Sequence, residues 1–157
     1  MSRKINIAID GHSSCGKSTI AKAISHKYKM RYVDTGAMYR AVSLYCIRNN
    51  IIFESNINID KLKEHLPQIK VEFKYIVKKG LSQTYLNDEN VEGYIRSLQV
   101  SKSVSLVSKI DFVRKKLVIL QQEIGRDKNV VMDGRDIGTK VFPNADLKFF
   151  ITAAPMI

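Results

Sequence analysis

The chain has 157 residues, of which 45% are hydrophobic and 26% charged, which is typical of one globular domain. No apolar run approaches the roughly 20 residues that a membrane-spanning helix needs, and Met1–Lys4 leads directly into a predicted strand, so we expect neither a membrane segment nor a signal peptide. The net charge of +11 suits a polyanionic ligand, but the lysines are scattered and form no basic stripe interleaved with aromatic residues, which argues against a nucleic-acid partner.

The first predicted strand, residues 5–10, leads into a loop with a recognisable phosphate-binding pattern. Gly11–Ser18 fits G-x-x-x-x-G-K-[ST], and a helix predicted over residues 18–28 follows. In that setting backbone N–H groups and the helix dipole face an anion, Lys17 reaches the outer phosphates, and the Ser18 hydroxyl can ligate Mg²⁺. The segment therefore predicts a nucleotide phosphate site.

The two cysteines, Cys15 and Cys46, lie in this loop and in a predicted helix. They form no disulfide pattern, so we expect a cytoplasmic protein. Cys15 at a helix N-terminus could have a lowered thiol pKa. Any small residue would also serve at that position, and we favour this second interpretation.

A second strand, residues 31–34, is followed by a helix predicted over residues 36–48. This alternation predicts a parallel sheet with right-handed crossovers. Thr35 opens the helix at the carboxyl end of the strand, where ligands bind in open α/β sheets, so it is either a helix N-cap or a ligand contact. Arg40, one turn into the helix, either neutralises a second phosphate or lies on a solvated face.

Residues 58–92 change in character. A short helix over residues 61–66 is expected to stop at Pro67, and residues 69–75 alternate apolar and polar side chains as a half-exposed strand does. Turns are predicted at Lys79-Gly80 and Asn87-Asp88, on either side of a partner strand over residues 82–86. The pattern predicts a small antiparallel insert that is too short to fold alone.

Helices resume with Ser97 as a predicted N-cap. A further helix begins at Asp111 and ends at Gly125, and its predicted buried seam consists of Val113, Leu117, Leu120 and Ile124. A buried strand is predicted over residues 129–132, and a final strand over residues 147–151.

The segment Asp133–Asp136 follows the first of these strands. Asp133 at the end of a hydrophobic strand matches the arrangement that holds Mg²⁺ or its water shell, although Asp-Gly is also a common turn dipeptide. Arg135 provides a fork that can bind phosphate, or it forms a surface ion pair.

Four motifs taken together resemble the bacterial cytidylate kinase family: GHSSCGKST at 11–19, DTGAMYRA at 34–41, GYIRS at 93–97 and MDGRDIGTKVFPNA at 132–145. The resemblance covers nearly the whole chain. It implies an α/β P-loop NTPase fold with a central parallel sheet flanked by helices. Residues 1–57 and 93–157 would form the core, and residues 58–92 a small antiparallel insert that binds the nucleoside monophosphate.

The resemblance also implies a role for each matching position, in a monomeric enzyme that transfers the γ-phosphate of ATP to CMP or dCMP with Mg²⁺. The ATP phosphates would contact Gly11, His12, Ser13, Ser14, Cys15, Gly16, Lys17, Ser18 and Thr19. CMP would contact Thr35, Tyr39, Arg40, Ser105, Arg114, Arg135 and Asp136. Lys17, Arg40 and Arg135 would be catalytic, and Ser18 and Asp133 would attend the metal.

The chain departs from the family at some positions. His12 and Ser14 stand where the family usually has Pro and Gly. Family members also continue past residue 157 with an arginine-rich lid, a closing strand and a terminal helix, so we hypothesise a truncated form that binds nucleotides, transfers phosphate poorly and has an exposed sheet edge. The alternatives are a kinase for both UMP and CMP and, from another class, a P-loop protein that binds RNA.

Overall fold

The computed structural model describes residues 3–12, 16–76, 78 and 81–152. The chain divides into two compact units. The first comprises Met1–Thr35, Val77–Leu81 and Val118–Ile157, and the second comprises Gly36–Ile76 and Ser82–Leu117. The domain limits expected from the resemblance, 1–57 with 93–157 and 58–92, stay a prediction.

The described residues form strands and helices close to those predicted. The strands are β1 (Asn6–Gly11), β2 (Arg31–Asp34), β3 (Ile52–Phe53), β4 (Asn56–Ile57), β5 (Val71–Ile76), β6 (Leu81–Leu86), β7 (Glu89–Asn90), β8 (Val130–Gly134) and β9 (Leu147–Ile151). The α-helices are α1 (Lys17–Tyr28), α2 (Thr35–Arg48), α3 (Ile59–His65), α4 (Leu98–Ser108) and α5 (Asp111–Ile124). Short 3₁₀ turns cover Leu66–Gln68 and Tyr94–Arg96, and a π-helical turn covers Ile137–Val141.

The first unit is built on a four-stranded sheet with the order β2-β8-β1-β9. Each neighbouring pair is parallel, which confirms the predicted central parallel sheet. Successive side chains of a strand point to opposite faces. Ile7 and Ile9 of β1 therefore pack on one face with Ala21 of α1, while Asn6 and Asp10 point to the other face.

The second unit contains the predicted antiparallel elements. In the predicted insert, β5, β6 and β7 form a three-stranded sheet in which β6 and β7 run antiparallel. A short hairpin of β3 and β4, which was not predicted, precedes it. The predicted turn at Asn87-Asp88 is confirmed, because both residues have the positive φ angles, 46° and 70°, that such tight turns need. The predicted Lys79-Gly80 turn lies outside the described residues.

Two helices differ from their predicted form. Helix α3 starts at Ile59, two residues earlier than expected, because the Asn58 side chain accepts a hydrogen bond from the Lys61 N–H and caps it. The α-helix ends at His65, before Pro67 as predicted, and a 3₁₀ turn over Leu66–Gln68 follows it.

The buried seam of α5 is also corrected. Val113 and Leu117 are fully buried as predicted, but the third buried position is Gln121, one full turn further on. Leu120 and Ile124 are only half-buried. No helix in the described part of the chain is both long enough and apolar enough to span a bilayer.

Candidate functional site

The phosphate loop follows β1 in the first unit. Gly16 caps α1 in a left-handed conformation with φ of 86°, which a residue with a side chain adopts only with strain. Lys17 is the first residue of α1, and its Nζ donates a hydrogen bond to the Gly11 carbonyl at 3.0 Å. Ser18 and Thr19 are exposed in a first helical turn that contains no acidic residue. The helix start is therefore suited to an anion.

The remaining residues of the predicted ATP set are less fully described. His12 is exposed, and its ring meets the Phe150 ring edge-on with a centroid separation of 6.3 Å. Ser13, Ser14 and Cys15 lie outside the described residues. Cys46 is a free, fully buried thiol whose pKa is raised by burial to about 12, so it is inert as a nucleophile.

Asp133 lies on β8 directly opposite Asp34 of β2. It is only 2% exposed, and its Oδ2 atom accepts a hydrogen bond of 2.8 Å from the Tyr32 hydroxyl. Burial, and then the nearby Asp34 carboxylate, raise the pKa of Asp133 to about 6, against the opposing effect of Lys17. Because β8 continues through Gly134, the alternative interpretation of Asp133-Gly134 as a turn is wrong.

The Asp133 carboxylate is chemically suited to Mg²⁺. A hard cation prefers carboxylate and hydroxyl oxygens, and its charge would favour the ionised form that burial disfavours. In the described ranges there is no group of three or more His, Cys, Asp or Glu side chains that could hold a metal. That agrees with the usual way Mg²⁺ binds, through one or two protein oxygens together with substrate phosphates and water.

The short segment after β8 is held on both sides. Thr35 Oγ1 donates a hydrogen bond of 2.8 Å to the Asp133 carbonyl. A Cβ atom on Gly134 would lie 2.0 Å from Thr35 Oγ1. Arg135 and Asp136 are exposed, and the chain is buried again at the π-helical turn. The structure thus presents Arg135 and Asp136 together at the carboxyl edge of the sheet.

In the second unit Arg40 is anchored. Its Nη1 atom donates to the Ile95 carbonyl at 3.1 Å and to the Ser101 hydroxyl at 2.8 Å. These contacts disagree with the alternative of a purely solvated side chain, and they fix the guanidinium against α4. Ser105 is exposed one helical turn beyond Ser101, on the same face of α4.

The predicted site residues are thus distributed over both units. The first unit brings together the phosphate loop, Thr35 and the segment from Asp133 to Asp136, whereas the second contains Tyr39, Arg40, Ser105 and Arg114. Tyr39 and Arg114 are half-buried.

Sequence reasoning missed three residues that form hydrogen bonds to predicted site residues or to the turn beside them: Asp10, Tyr32 and Ser101. Asp10 could have been found, since it ends an apolar strand as Asp133 does. The partners of Tyr32 and Ser101 are distant in sequence, 101 and 61 residues away, and no local pattern reveals them.

Comparisons with a family model and with curated proteins both match this chain to cytidylate kinases. The family model described as cytidylate kinase matches residues 7–157. A curated protein named cytidylate kinase from Bacteroides thetaiotaomicron is 52% identical over 99% of this chain and 68% of its own length. Proteins of the same name from Porphyromonas gingivalis and Flavobacterium psychrophilum are 50% and 53% identical over 100% and 97% of this chain, and over 68% and 67% of their own lengths. The chain thus spans about two thirds of the length of these relatives.

Among solved structures, a crystal structure of a Thermus thermophilus protein matches 98% of this chain and 68% of its own chain. The TM-score is 0.38 and the sequence identity 17%. A similarity this low supports no argument about function.

Proposed function

Because the chain belongs to the cytidylate kinase family, we propose that it transfers the γ-phosphate of ATP to CMP or dCMP, with Mg²⁺ as the metal. One observation carries the proposal beyond family membership. The phosphate loop and the segment from Asp133 to Asp136 follow neighbouring parallel strands, with Asp10 of β1 opposite Gly134 of β8. A donor site and an acceptor site can therefore lie side by side at one edge of the sheet.

On the donor side, the loop from Gly11 to Thr19 holds the phosphates of ATP. The Lys17 ammonium donates to the Gly11 carbonyl in this structure, and we expect it to turn to a phosphate oxygen when ATP binds. Ser18 and Asp133 hold the metal, which when bound neutralises charge on the phosphate oxygens.

On the acceptor side, Arg40 and Arg135 bind the phosphate of CMP. Phosphoryl transfer depends on holding two anions in line against their mutual repulsion, and guanidinium groups do this with paired hydrogen bonds. The acceptor phosphate is itself the nucleophile, so no strong general base is required. Ser101 and the Ile95 carbonyl support Arg40 in this role, because both hold its Nη1 atom.

The family resemblance assigns recognition of the base to Asp136 and Thr35 of the first unit and to Tyr39, Ser105 and Arg114 of the second. Cytosine differs from uracil by an exocyclic amine, a donor that a carboxylate accepts. A uracil carbonyl at that position would face the carboxylate with no proton between them, so the two oxygens would repel each other. The proposal therefore includes discrimination against UMP. We also propose that the protein is a monomer in the cytoplasm.

The test is ADP formation from Mg·ATP with CMP, dCMP, UMP, AMP or GMP as the acceptor. We expect turnover with CMP and dCMP that exceeds turnover with UMP by about 100-fold, because a hydrogen bond to a charged group contributes about 1.5–3 kcal/mol. Lys17→Ala should abolish turnover with every acceptor, while Lys27→Ala, an exposed lysine on the same helix, should not.

Two outcomes contradict the proposal. Equal use of UMP and CMP would indicate the broader pyrimidine kinase. No turnover, together with RNA binding that weakens steeply with salt, would indicate the RNA-binding alternative.

A further inference from the structure

We propose that Asp10 is a positioning residue for the acceptor, which holds the exposed pair Arg135–Asp136 in a fixed place relative to the phosphate loop. Asp10 was not among the residues expected to contact either nucleotide. The inference rests on the proposed function, since it assigns Asp10 a role in binding CMP. Its basis is a pair of hydrogen bonds within the first unit.

Both oxygens of the Asp10 carboxylate are used. Oδ1 accepts the Ile137 N–H at 2.7 Å, and Oδ2 accepts the Gly138 N–H at 2.9 Å. These are the first two residues of the π-helical turn Ile137–Val141, where a helix start leaves backbone N–H groups without intrahelical partners. A charged acceptor makes each of these bonds stronger than a neutral one would.

The two bonds fix one end of the segment Asp133–Asp136, which we call the acceptor segment. Contacts with Thr35 fix its other end. Gly134 is pressed against Thr35, whose hydroxyl donates to the Asp133 carbonyl. Only Arg135 and Asp136 are exposed between these two attachments. A two-residue segment anchored at both ends has little backbone freedom, so the anchors set the positions from which both side chains project.

The backbone conformation of Asp136 is a further feature of this segment. Asp136 has φ of 59° and ψ of 26°, a left-handed conformation that an L-residue adopts at some cost. Aspartate tolerates this conformation better than most residues do. The hydrogen bonds that the next two residues donate to Asp10 help to hold it in place.

Asp10 is also placed to relate the donor site to the acceptor site. Asp10 directly precedes Gly11, the residue at which β1 ends and the phosphate loop begins. Its side chain accepts hydrogen bonds from the turn that follows Asp136. A shift of Asp10 therefore moves the acceptor segment with respect to the loop. Because transfer depends on two phosphates being held in line, such a shift affects CMP more than ATP.

The test is the variant Asp10→Asn, which keeps the size of the side chain but replaces one acceptor oxygen with an amide donor. One of the two backbone N–H groups then loses its acceptor. Gly138→Ala perturbs the same contact from the other side, because its Cβ atom would lie 3.3 Å from Asp10 Oδ2.

The matched control is Asp146→Asn, since Asp146 Oδ2 also accepts a backbone N–H of β1, that of Asn6, at 3.0 Å. Asp146 precedes β9 and pairs with the N-terminal end of β1, so it does not contact the acceptor segment. A general loss of structure would affect both Asp→Asn variants alike.

Calorimetric titration with CMP, UMP and ATP gives the decisive readout, with amide hydrogen exchange at Ile137 and Gly138 beside it. For Asp10→Asn we expect about tenfold weaker CMP binding, less than threefold change for ATP, a lower preference for CMP over UMP, and about tenfold faster exchange at the amide that loses its acceptor. Gly138→Ala should shift CMP binding in the same direction, and Asp146→Asn should change none of the nucleotide affinities.

Faster exchange in Asp10→Asn with unchanged CMP affinity would overturn the positioning role and leave Asp10 with a structural role alone. An equal loss of ATP and CMP affinity would overturn it as well. If the unaltered chain binds CMP no better than UMP, the proposed function itself fails and the role of Asp10 fails with it, a result distinct from the first two.

Discussion

At the scale of single residues, the buried carboxylate of Asp133 lowers the stability of the fold at neutral pH, at a position suited to binding a metal. Its carboxyl is buried beside Asp34, and the Tyr32 hydroxyl offsets only part of the cost of its charge. A pKa of about 6 lies above the value of 3.8 for an unperturbed aspartate, so the folded chain holds this proton more tightly than the unfolded chain does. Stability from this group is therefore fully present below about pH 4 and is lost as the pH rises to about 6.

Asp133→Asn should accordingly stabilise the metal-free protein at neutral and alkaline pH. We expect the free energy of unfolding to rise by about 1–3 kcal/mol at pH 8, because the variant carries no buried charge, and the gain to disappear below about pH 4. Denaturant unfolding in a chelating buffer at several pH values measures this.

Asp146→Asn is the control of opposite sign, since a hydrogen bond from the Asn6 backbone lowers the pKa of Asp146. A gain for Asp133→Asn that is the same at pH 4 and pH 8 would contradict the account.

The sequence predicted the phosphate-loop residues and Asp133 as site candidates, because each stands in a local pattern with a known physical role. Gly16 has the left-handed backbone that the loop pattern requires. The supports of these residues were not predictable in the same way. Ser101 anchors Arg40 across 61 positions of sequence, and that contact exists only once α2 and α4 are packed.

At the scale of elements, the strands and long helices followed from periodicity, and their ends depended on single side chains. Strands β2 and β9 have the limits that their apolar runs predict, and Ser97 caps α4 as expected by accepting from the Val100 N–H. The start of α3 was missed because Asn58 precedes it in a turn-rich stretch, where several residues could have served as the cap. In α5, Gln121 takes a buried position that a hydrophobic pattern cannot assign to a polar residue.

The close approach of β8 to the start of α2 gives a prediction at this scale. Gly134→Ala places a methyl group 2.0 Å from Thr35 Oγ1 and 3.1 Å from Ile137 Cδ1, so the acceptor segment must shift. We expect a loss of about 2 kcal/mol or more in the free energy of unfolding.

Gly93→Ala is the matched control, because a Cβ atom there would meet nothing within 4 Å and the backbone has φ of −70°. It should leave stability unchanged or raise it by up to about 1 kcal/mol, through a less flexible unfolded chain. Thermal unfolding of both variants measures the difference, and equal stability of the two would show that Gly134 is not held closely against Thr35.

At the scale of the whole molecule, two features shape behaviour beyond the site. The chain has a net charge of +11, which favours the approach of anionic nucleotides and makes their binding sensitive to salt. Strand β9 is the edge of the described sheet, and Leu147, Phe149 and Phe150 on it are exposed. An exposed apolar edge favours association.

The central claim is that the two halves of the site act together on ATP and a cytosine nucleotide. A competition in one vessel tests this directly: the chain is incubated with Mg·ATP and equal concentrations of CMP and UMP, and CDP and UDP are quantified together. Because the ratio of products does not depend on the absolute rate, it is informative even at slow turnover. We expect CDP to exceed UDP by about 100-fold, the discrimination that one hydrogen bond to a charged group supplies. Equal amounts of the two products, or ATP consumption with neither formed, would contradict the claim.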